Sequence, residues 1–299
     1  MTKRNPFFGI YAPIATVFTP DDRIDWQAMA ANIAHYSATN LAGLVVLGSN
    51  GEFAMMRYQE KVELIHFARK HLAPEKGLII GTGCETTAET IELGKVAADA
   101  GADCALVLTP WYYKSSYNDS ALTRHFTDIA DASTIPVMLY NMPRNTNLNM
   151  NANLVCKLAA HPNIIGIKDS GGDIVQITNI INGTPEDFAV FAGSGSFLMA
   201  TTLAGGVGGT LAVANIMPQE CVDLFQASLQ GDLVKARLLQ DKLMKPNTAV
   251  TSGYGIAGLK KAMEMIGLHG GTPRLPQLPL SEAEEAGLSK VLQDVGLVV

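Results

Sequence analysis

Short apolar runs alternate with longer amphipathic ones over the first three quarters of the chain. The apolar runs cover residues 10–18, 43–47, 77–81, 104–109, 135–140, 164–168, 188–192 and 207–213. Most show no period-2 alternation, the pattern of parallel strands covered on both faces. The segments between them carry helical periodicity. Over 60–71, Leu64, Phe67 and Ala68 share one face, while His66, Arg69 and Lys70 lie on the other. Residues 86–100 and 120–132 read the same way. Repeated strand–helix units of this kind predict an α/β fold, a (β/α)8 TIM barrel. A doubly wound sheet shares the alternation, but the first strand runs into Thr19-Pro20-Asp21-Asp22, which has no glycine-rich nucleotide fingerprint.

The pattern changes near Pro218. Only helical segments follow, over 219–229, 233–243, 256–266 and 281–295. Ser281 and Glu284 form a capping box for the last of them. A Gly/Pro-rich stretch at 270–276 reads as a loop. The expected organisation is a barrel over 1–225 and a C-terminal helical extension over 226–299, packed on the barrel.

Composition narrows the classes of function. Hydrophobic residues make up 47% of 299 and charged residues 17%, which suits a large packed core and not a disordered chain. A net charge of -6 gives no basic stripe for nucleic acid or an anionic membrane, so neither partner is expected. The N-terminal MTKRNPFFGI has no long apolar stretch of a targeting signal, and no segment has the roughly 18 uninterrupted apolar residues of a membrane span. Cys84, Cys104, Cys156 and Cys221 form no CxxC pair and read as reduced thiols of a cytoplasmic protein. Cys84, in the run Gly81-Thr82-Gly83-Cys84-Glu85, is the one to watch for reactivity. The six histidines are scattered without HxH or HExxH spacing, so no metal is expected, and no nucleotide cofactor is implied.

Barrel chemistry sits at the C-terminal ends of the strands. The second strand ends in Gly48-Ser49-Asn50-Gly51-Glu52, a turn that either aims backbone N–H groups at an anion or simply opens the next helix. The fourth ends in Thr109-Pro110-Trp111-Tyr112-Tyr113, whose aromatics wall a pocket, pack a subunit contact, or both. Tyr140 ends the fifth, as a proton relay or a core tyrosine. The sixth is the most informative, because Ile164-Ile165-Gly166-Ile167 delivers Lys168 at its end. Lysine is seldom buried without a reason. Desolvation favours the neutral amine, which attacks carbonyls, whereas a neighbour such as Asp169 would merely neutralise it. The seventh ends in Ala192-Gly193-Ser194-Gly195-Ser196, where barrels often hold a phosphate, but the preferred reading is a turn whose glycines let the backbone approach a ligand or start a helix.

Taken together, GSNGE at 48–52, TPWYY at 109–113, YNMP at 140–143, IGIKDS at 165–170, AGSG at 192–195 and the run at 255–281 resemble the dihydrodipicolinate synthase / N-acetylneuraminate lyase family. The resemblance spans essentially the whole chain. It implies a cofactor-independent lyase acting on pyruvate and an aldehyde, assembled as a homotetramer, a dimer of dimers. By that resemblance Lys168 forms the imine and Tyr140 is the general acid/base. Ser49 links Tyr140 to Tyr112, a phenol lent by a neighbouring subunit. Ser49 and Asn50 hold the 2-oxo acid carboxylate, and Asn145, Ser170 and Gly193 complete the substrate contacts. The branch is read from departures. Synthases carry an arginine where this chain has Asn145, with Arg144 one residue earlier, and a glycine where it has Asn147. GSNGEF at 48–53, GCET at 83–86, DSGGD at 169–173 and PNTAVT at 246–251 look most like 4-hydroxy-2-oxoglutarate aldolases, which release pyruvate and glyoxylate. The alternatives are a dihydrodipicolinate synthase, a 2-oxo-3-deoxy sugar-acid aldolase or dehydratase, and a non-catalytic 2-oxo acid sensor.

Overall fold

A computed structural model describes residues 7–298; most of the N-terminal stretch read for a targeting signal lies outside them. Among the described residues, eight parallel strands close into a barrel in sequence order. They are β1 (Gly9–Pro13), β2 (Gly43–Val46), β3 (Gly77–Gly81), β4 (Cys104–Leu108), β5 (Val137–Asn141), β6 (Ile164–Asp169), β7 (Ala189–Ala192) and β8 (Gly208–Thr210). The outer helices are α1 (Trp26–Ser37), α2 (Tyr58–His71), α3 (Thr87–Asp99), α4 (Asp119–Ala132), the one-turn α5 (Pro143–Thr146), α6 (Ala152–Leu158), α7 (Ile174–Gly183), α8 (Leu198–Leu203) and α9 (Pro218–Leu229). Side-chain caps start several of them. Asp25, Thr86, Asn118, Asn151 and Asp173 each accept a first-turn N–H, satisfying donors that the helix leaves open.

The TIM barrel anticipated from the alternation is therefore the fold, with three strand limits moved. The first strand leaves the ladder at Pro13, and Phe18 instead makes isolated antiparallel bridges to Ile24 and Thr272. Its apolar residues beyond Pro13 are buried outside the barrel wall. The fifth starts at Val137, just past Pro136, which has no N–H for a ladder. The last ends at Thr210, because Ala212–Asn215 winds into a buried 3-10 turn.

The tail consists of α10 (Leu233–Thr248), α11 (Gly255–Met265) and α12 (Glu282–Asp294), the last opened by the Ser281–Glu284 capping box. The first of these is longer than the periodicity suggests and contains Pro246; a π turn, Ala249–Gly253, follows directly. Asn247 anchors this stretch to the barrel, its Oδ1 accepting the Gly195 N–H at 3.1 Å. The π turn thereby reaches the C-terminal mouth of the barrel.

Candidate active site

One irregularity aligns the site. Val137 pairs with Ile164, but Met138 pairs with Gly166, so Ile165 is an extra residue in β6. Such a bulge changes which residues share a face. Because of it, Tyr140 faces Lys168 across the ladder; without it Tyr140 would face Ile167. Both side chains enter the barrel, and the Lys168 Nζ lies 3.9 Å from the centre of the Tyr140 ring. Lys168 is 3% exposed and Tyr140 is as deeply buried. The next register pair, Asn141 and Asp169, lies on the other side of the wall.

This alternation places the Asp169 carboxylate away from the Lys168 amine. Asp169 accepts hydrogen bonds from Asn141 Nδ2 at 2.8 Å, the Gly171 N–H at 2.8 Å and Gln176 Nε2 at 3.3 Å. Its carboxylate serves the outer wall and does not neutralise Lys168.

Tyr140 and Ser49 hydroxyls are 3.4 Å apart. Burial pushes the Tyr140 phenol up, but the Lys168 charge and hydrogen bonds from Ser49, Lys168 and Ser170 outweigh it, leaving the phenol below its ordinary value. Ser49 opens a 3-10 turn, Ser49–Gly51. Glu52 follows with φ 58° and leads into a second 3-10 turn, Phe53–Met55, while the α-helix itself starts at Tyr58. Its carboxylate is buried against Lys260 Nζ at 2.5 Å and accepts the Arg274 N–H at 2.8 Å and Gln277 Nε2 at 3.3 Å. The tail thus holds the Ser49–Asn50 turn from behind.

A cavity of about 280 Å³ opens over these groups, lined by Asn50, Tyr140, Lys168, Ser170 and Gly193 among others. Asn50 Nδ2 is buried at its wall without a hydrogen-bond partner, a donor open to a ligand. Gly193 is required there: a Cβ would run into Ser170 Oγ and the Asp169 carbonyl. Asn145 and Arg144, both exposed on α5, line the lip. Asn147 ends that turn at φ 55°, a left-handed conformation asparagine tolerates, so replacing glycine keeps the turn.

Two expectations fare differently. Tyr112 is 73% exposed and lies apart from the cavity of its own chain. Glu85 Oε1 accepts the N–H groups of Trp111 at 2.8 Å and Tyr112 at 3.1 Å and so fixes that turn. Cys84 is buried, which pushes its thiol up to about 11 and counts against reactivity. The sequence reading missed Thr210, whose buried hydroxyl has no hydrogen-bond partner, and the tail residues Thr251, Ile256 and Gln277 that wall the cavity. Only the single polar residue at the end of a glycine-rich strand signalled Thr210. Among the described residues, no group of three His, Cys, Asp or Glu side chains converges as metal ligands would.

A family model, the dihydrodipicolinate synthetase family, matches residues 6–295. The chain belongs to that family. As a member of the dihydrodipicolinate synthetase family it is a lyase acting through a Schiff base. It is 37% identical over 293 residues to a 4-hydroxy-tetrahydrodipicolinate synthase of Methanoculleus marisnigri, covering 97% of this chain and 100% of that one. It is 34% identical over 292 residues to a protein of Emericella nidulans described as a probable mitochondrial 4-hydroxy-2-oxoglutarate aldolase, covering 96% and 94%. Among solved structures, YagE of Escherichia coli K12, a member of the same family in complex with pyruvate, superposes with a TM-score of 0.90 at 34% identity, over 97% of this chain and 99% of that one.

Proposed function

We propose that this lyase cleaves 4-hydroxy-2-oxoglutarate reversibly to pyruvate and glyoxylate. The observation that carries the reading is the pairing of Lys168 with Tyr140 inside a cavity that offers Lys168 no carboxylate. The Lys168 amine adds to the C2 carbonyl and expels water, giving a protonated imine. The Tyr140 phenolate takes the proton of the C4 hydroxyl as the C3–C4 bond breaks. Glyoxylate leaves, and the bond's electron pair passes into the imine to give an enamine. The phenol returns a proton to C3, and water releases pyruvate from Lys168. The Ser49–Asn50 turn holds the C1 carboxylate, while Ser170 and the Gly193 backbone border the reacting carbons.

Tyr112 enters the relay from a second subunit. Its exposure in the single chain supports that reading, and a dimer of dimers would supply one such phenol to each site. Four free cysteines suit a cytoplasmic setting. No helix among the described residues is long and apolar enough to cross a membrane.

The second reading is condensation of pyruvate with aspartate semialdehyde, supported by the Methanoculleus relative's name. Asn145 speaks against it, since an uncharged amide holds a carboxylate less strongly than arginine. The test has two parts. Pyruvate plus borohydride should add a reduced pyruvyl group to Lys168 alone, with Lys168→Arg inactive because a guanidinium keeps its proton. Wild-type kcat/KM should then be higher for 4-hydroxy-2-oxoglutarate cleavage than for semialdehyde condensation. The reverse order assigns the chain to the synthase branch, and an adduct elsewhere removes the imine role from Lys168.

A further inference from the structure

A strained residue stands just before the Ser49–Asn50 turn. Leu47 holds φ 59°, the left-handed region that leucine seldom enters because its Cβ crowds the next carbonyl. Among the described residues, the other non-glycine residues with positive φ are Asp22, Glu52 and Asn147, so Leu47 is the one apolar case. Its side chain is packed in the core, which keeps the residue from swinging free. Such strain persists only where the surroundings enforce it, and it gathers at functional sites. What accommodates it is Gly81, at the end of β3. Val46 pairs with Ile80, so the next step along the two strands brings Leu47 beside Gly81. A Cβ on Gly81 would overlap the Leu47 carbonyl oxygen and come within 2.8 Å of its carbonyl carbon. Gly81 has no positive φ of its own, so glycine is needed there for space and not for backbone freedom.

We infer that Leu47 and Gly81 are positioning residues for the acid/base step: the left-handed bend at Leu47, admitted by the bare Gly81 backbone, sets where the Ser49 hydroxyl meets the Tyr140 phenol. The inference rests on the proposed role of Tyr140 and extends it to two residues outside the cavity wall. The far end of the turn is clamped independently. Thr16 Oγ1 donates to the Gly51 carbonyl at 2.7 Å, and the Glu52 carboxylate accepts the Arg274 N–H. Ser49 therefore sits between two fixed points. Its hydroxyl is 3.4 Å from that of Tyr140, close to the limit of a hydrogen bond, so a small shift of the turn ends the contact. Leu47 supplies the direction of the turn, and Gly81 supplies the room for it.

The experiment uses the full chain and four variants: Ser49→Ala, Gly81→Ala, Leu47→Val, and Gly81→Ala combined with Ser49→Ala. Thermal melts verify that each is folded. Leu47→Val keeps an apolar side chain but branches it at Cβ, which disfavours the left-handed region further. It adds nothing beside β3, so it tests the bend where alanine at position 81 is not tolerated. Ser49→Ala removes a hydrogen bond that favours the phenolate, so the Tyr140 titration should move up in pH, read by ultraviolet difference with Tyr140→Phe subtracted. Gly81→Ala and Leu47→Val should move it up as well. Each should lower kcat about 10- to 100-fold, the cost of misplacing a group by about 1 Å. Gly81→Ala should add little once Ser49 is alanine, because it acts through that hydroxyl. An unmoved midpoint and kcat in either folded variant, or losses from Gly81→Ala and Ser49→Ala that multiply, would overturn the inference. Failure of the acid/base reading looks different: Ser49→Ala and Tyr140→Phe would then leave turnover intact. The midpoint shift on Gly81→Ala would still decide whether Leu47 and Gly81 place the Ser49 hydroxyl.

Discussion

Lys168 and Asp169 are adjacent in sequence and serve opposite sides of one wall. The lysine meets Tyr140 inside the barrel, while the aspartate bonds Asn141 on the outside. Their separation leaves the amine facing a phenol. The consequence is a pH effect that can be measured. The Tyr140 phenol lies below its ordinary value because attraction to Lys168 and three hydrogen bonds exceed the opposing effect of burial. Its phenolate therefore forms at lower pH than that of a free tyrosine. Lys168→Met removes the charge, burial then dominates, and the titration should move up in pH. Ultraviolet difference titration, with Tyr140→Phe subtracted, reads this directly; an unmoved midpoint would mean that Lys168 does not set the phenol. Tyr140→Phe itself should lose about 10²- to 10⁴-fold in turnover, the usual worth of a positioned acid/base.

At the scale of elements, the tail and the barrel are joined by buried charge. Lys260 on α11 reaches the Glu52 carboxylate, and its Nζ also donates to the Thr272 carbonyl at 2.8 Å. Burial pushes the Lys260 ammonium down and Glu52 partly restores it. Arg274 lies over the Phe18 ring and binds Asp22 and Glu60, so the loop before α12 is tied to the loop after β1 and to the first turn of α2. Removing one partner of a buried pair strands the other. Lys260→Met should therefore cost about 3–5 kcal/mol and lower the melting temperature by several degrees. The Ser49–Asn50 turn loses its backing in the same variant, so KM for pyruvate should rise. Adding Glu52→Gln should recover stability, because no unpaired charge is then left buried. Thermal melts of the two singles and the double check this; additive losses would show that the two residues act independently.

At the scale of the whole molecule, a single chain holds Lys168, Tyr140 and Ser49 together and leaves Tyr112 outside. Glu85 holds the Tyr112 turn, and the Trp111 ring meets Phe53 edge-on at 5.8 Å, so the exposed phenol stands on a fixed base. A group presented in this way suits a neighbouring subunit. We expect sedimentation to show a tetramer, and dilution to monomers to reduce turnover. Tyr112→Phe should lower kcat in the assembled protein and leave pyruvate trapping in place. Full turnover by a verified monomer, with Tyr112→Phe harmless, would remove the borrowed phenol.

The barrel was legible in the sequence because its signal is local. Continuous apolar runs between amphipathic helices report strands buried on both faces, and Lys168 at the end of one such run stood out against its surroundings. The Ser281 capping box and the unbroken helical character of the tail are local signals of the same kind. What the tertiary structure alone decided is register and closure. The bulge at Ile165 turns Lys168 toward Tyr140, and nothing in the isoleucine-rich run 164–167 distinguishes a bulged strand from a regular one. The pairing of Glu52 with Lys260 and the passage of Thr251, Ile256 and Gln277 across the cavity join residues some two hundred positions apart. Hydrophobic periodicity carries no information about such contacts, since it fixes which face of an element is buried and not which distant side chain it is buried against.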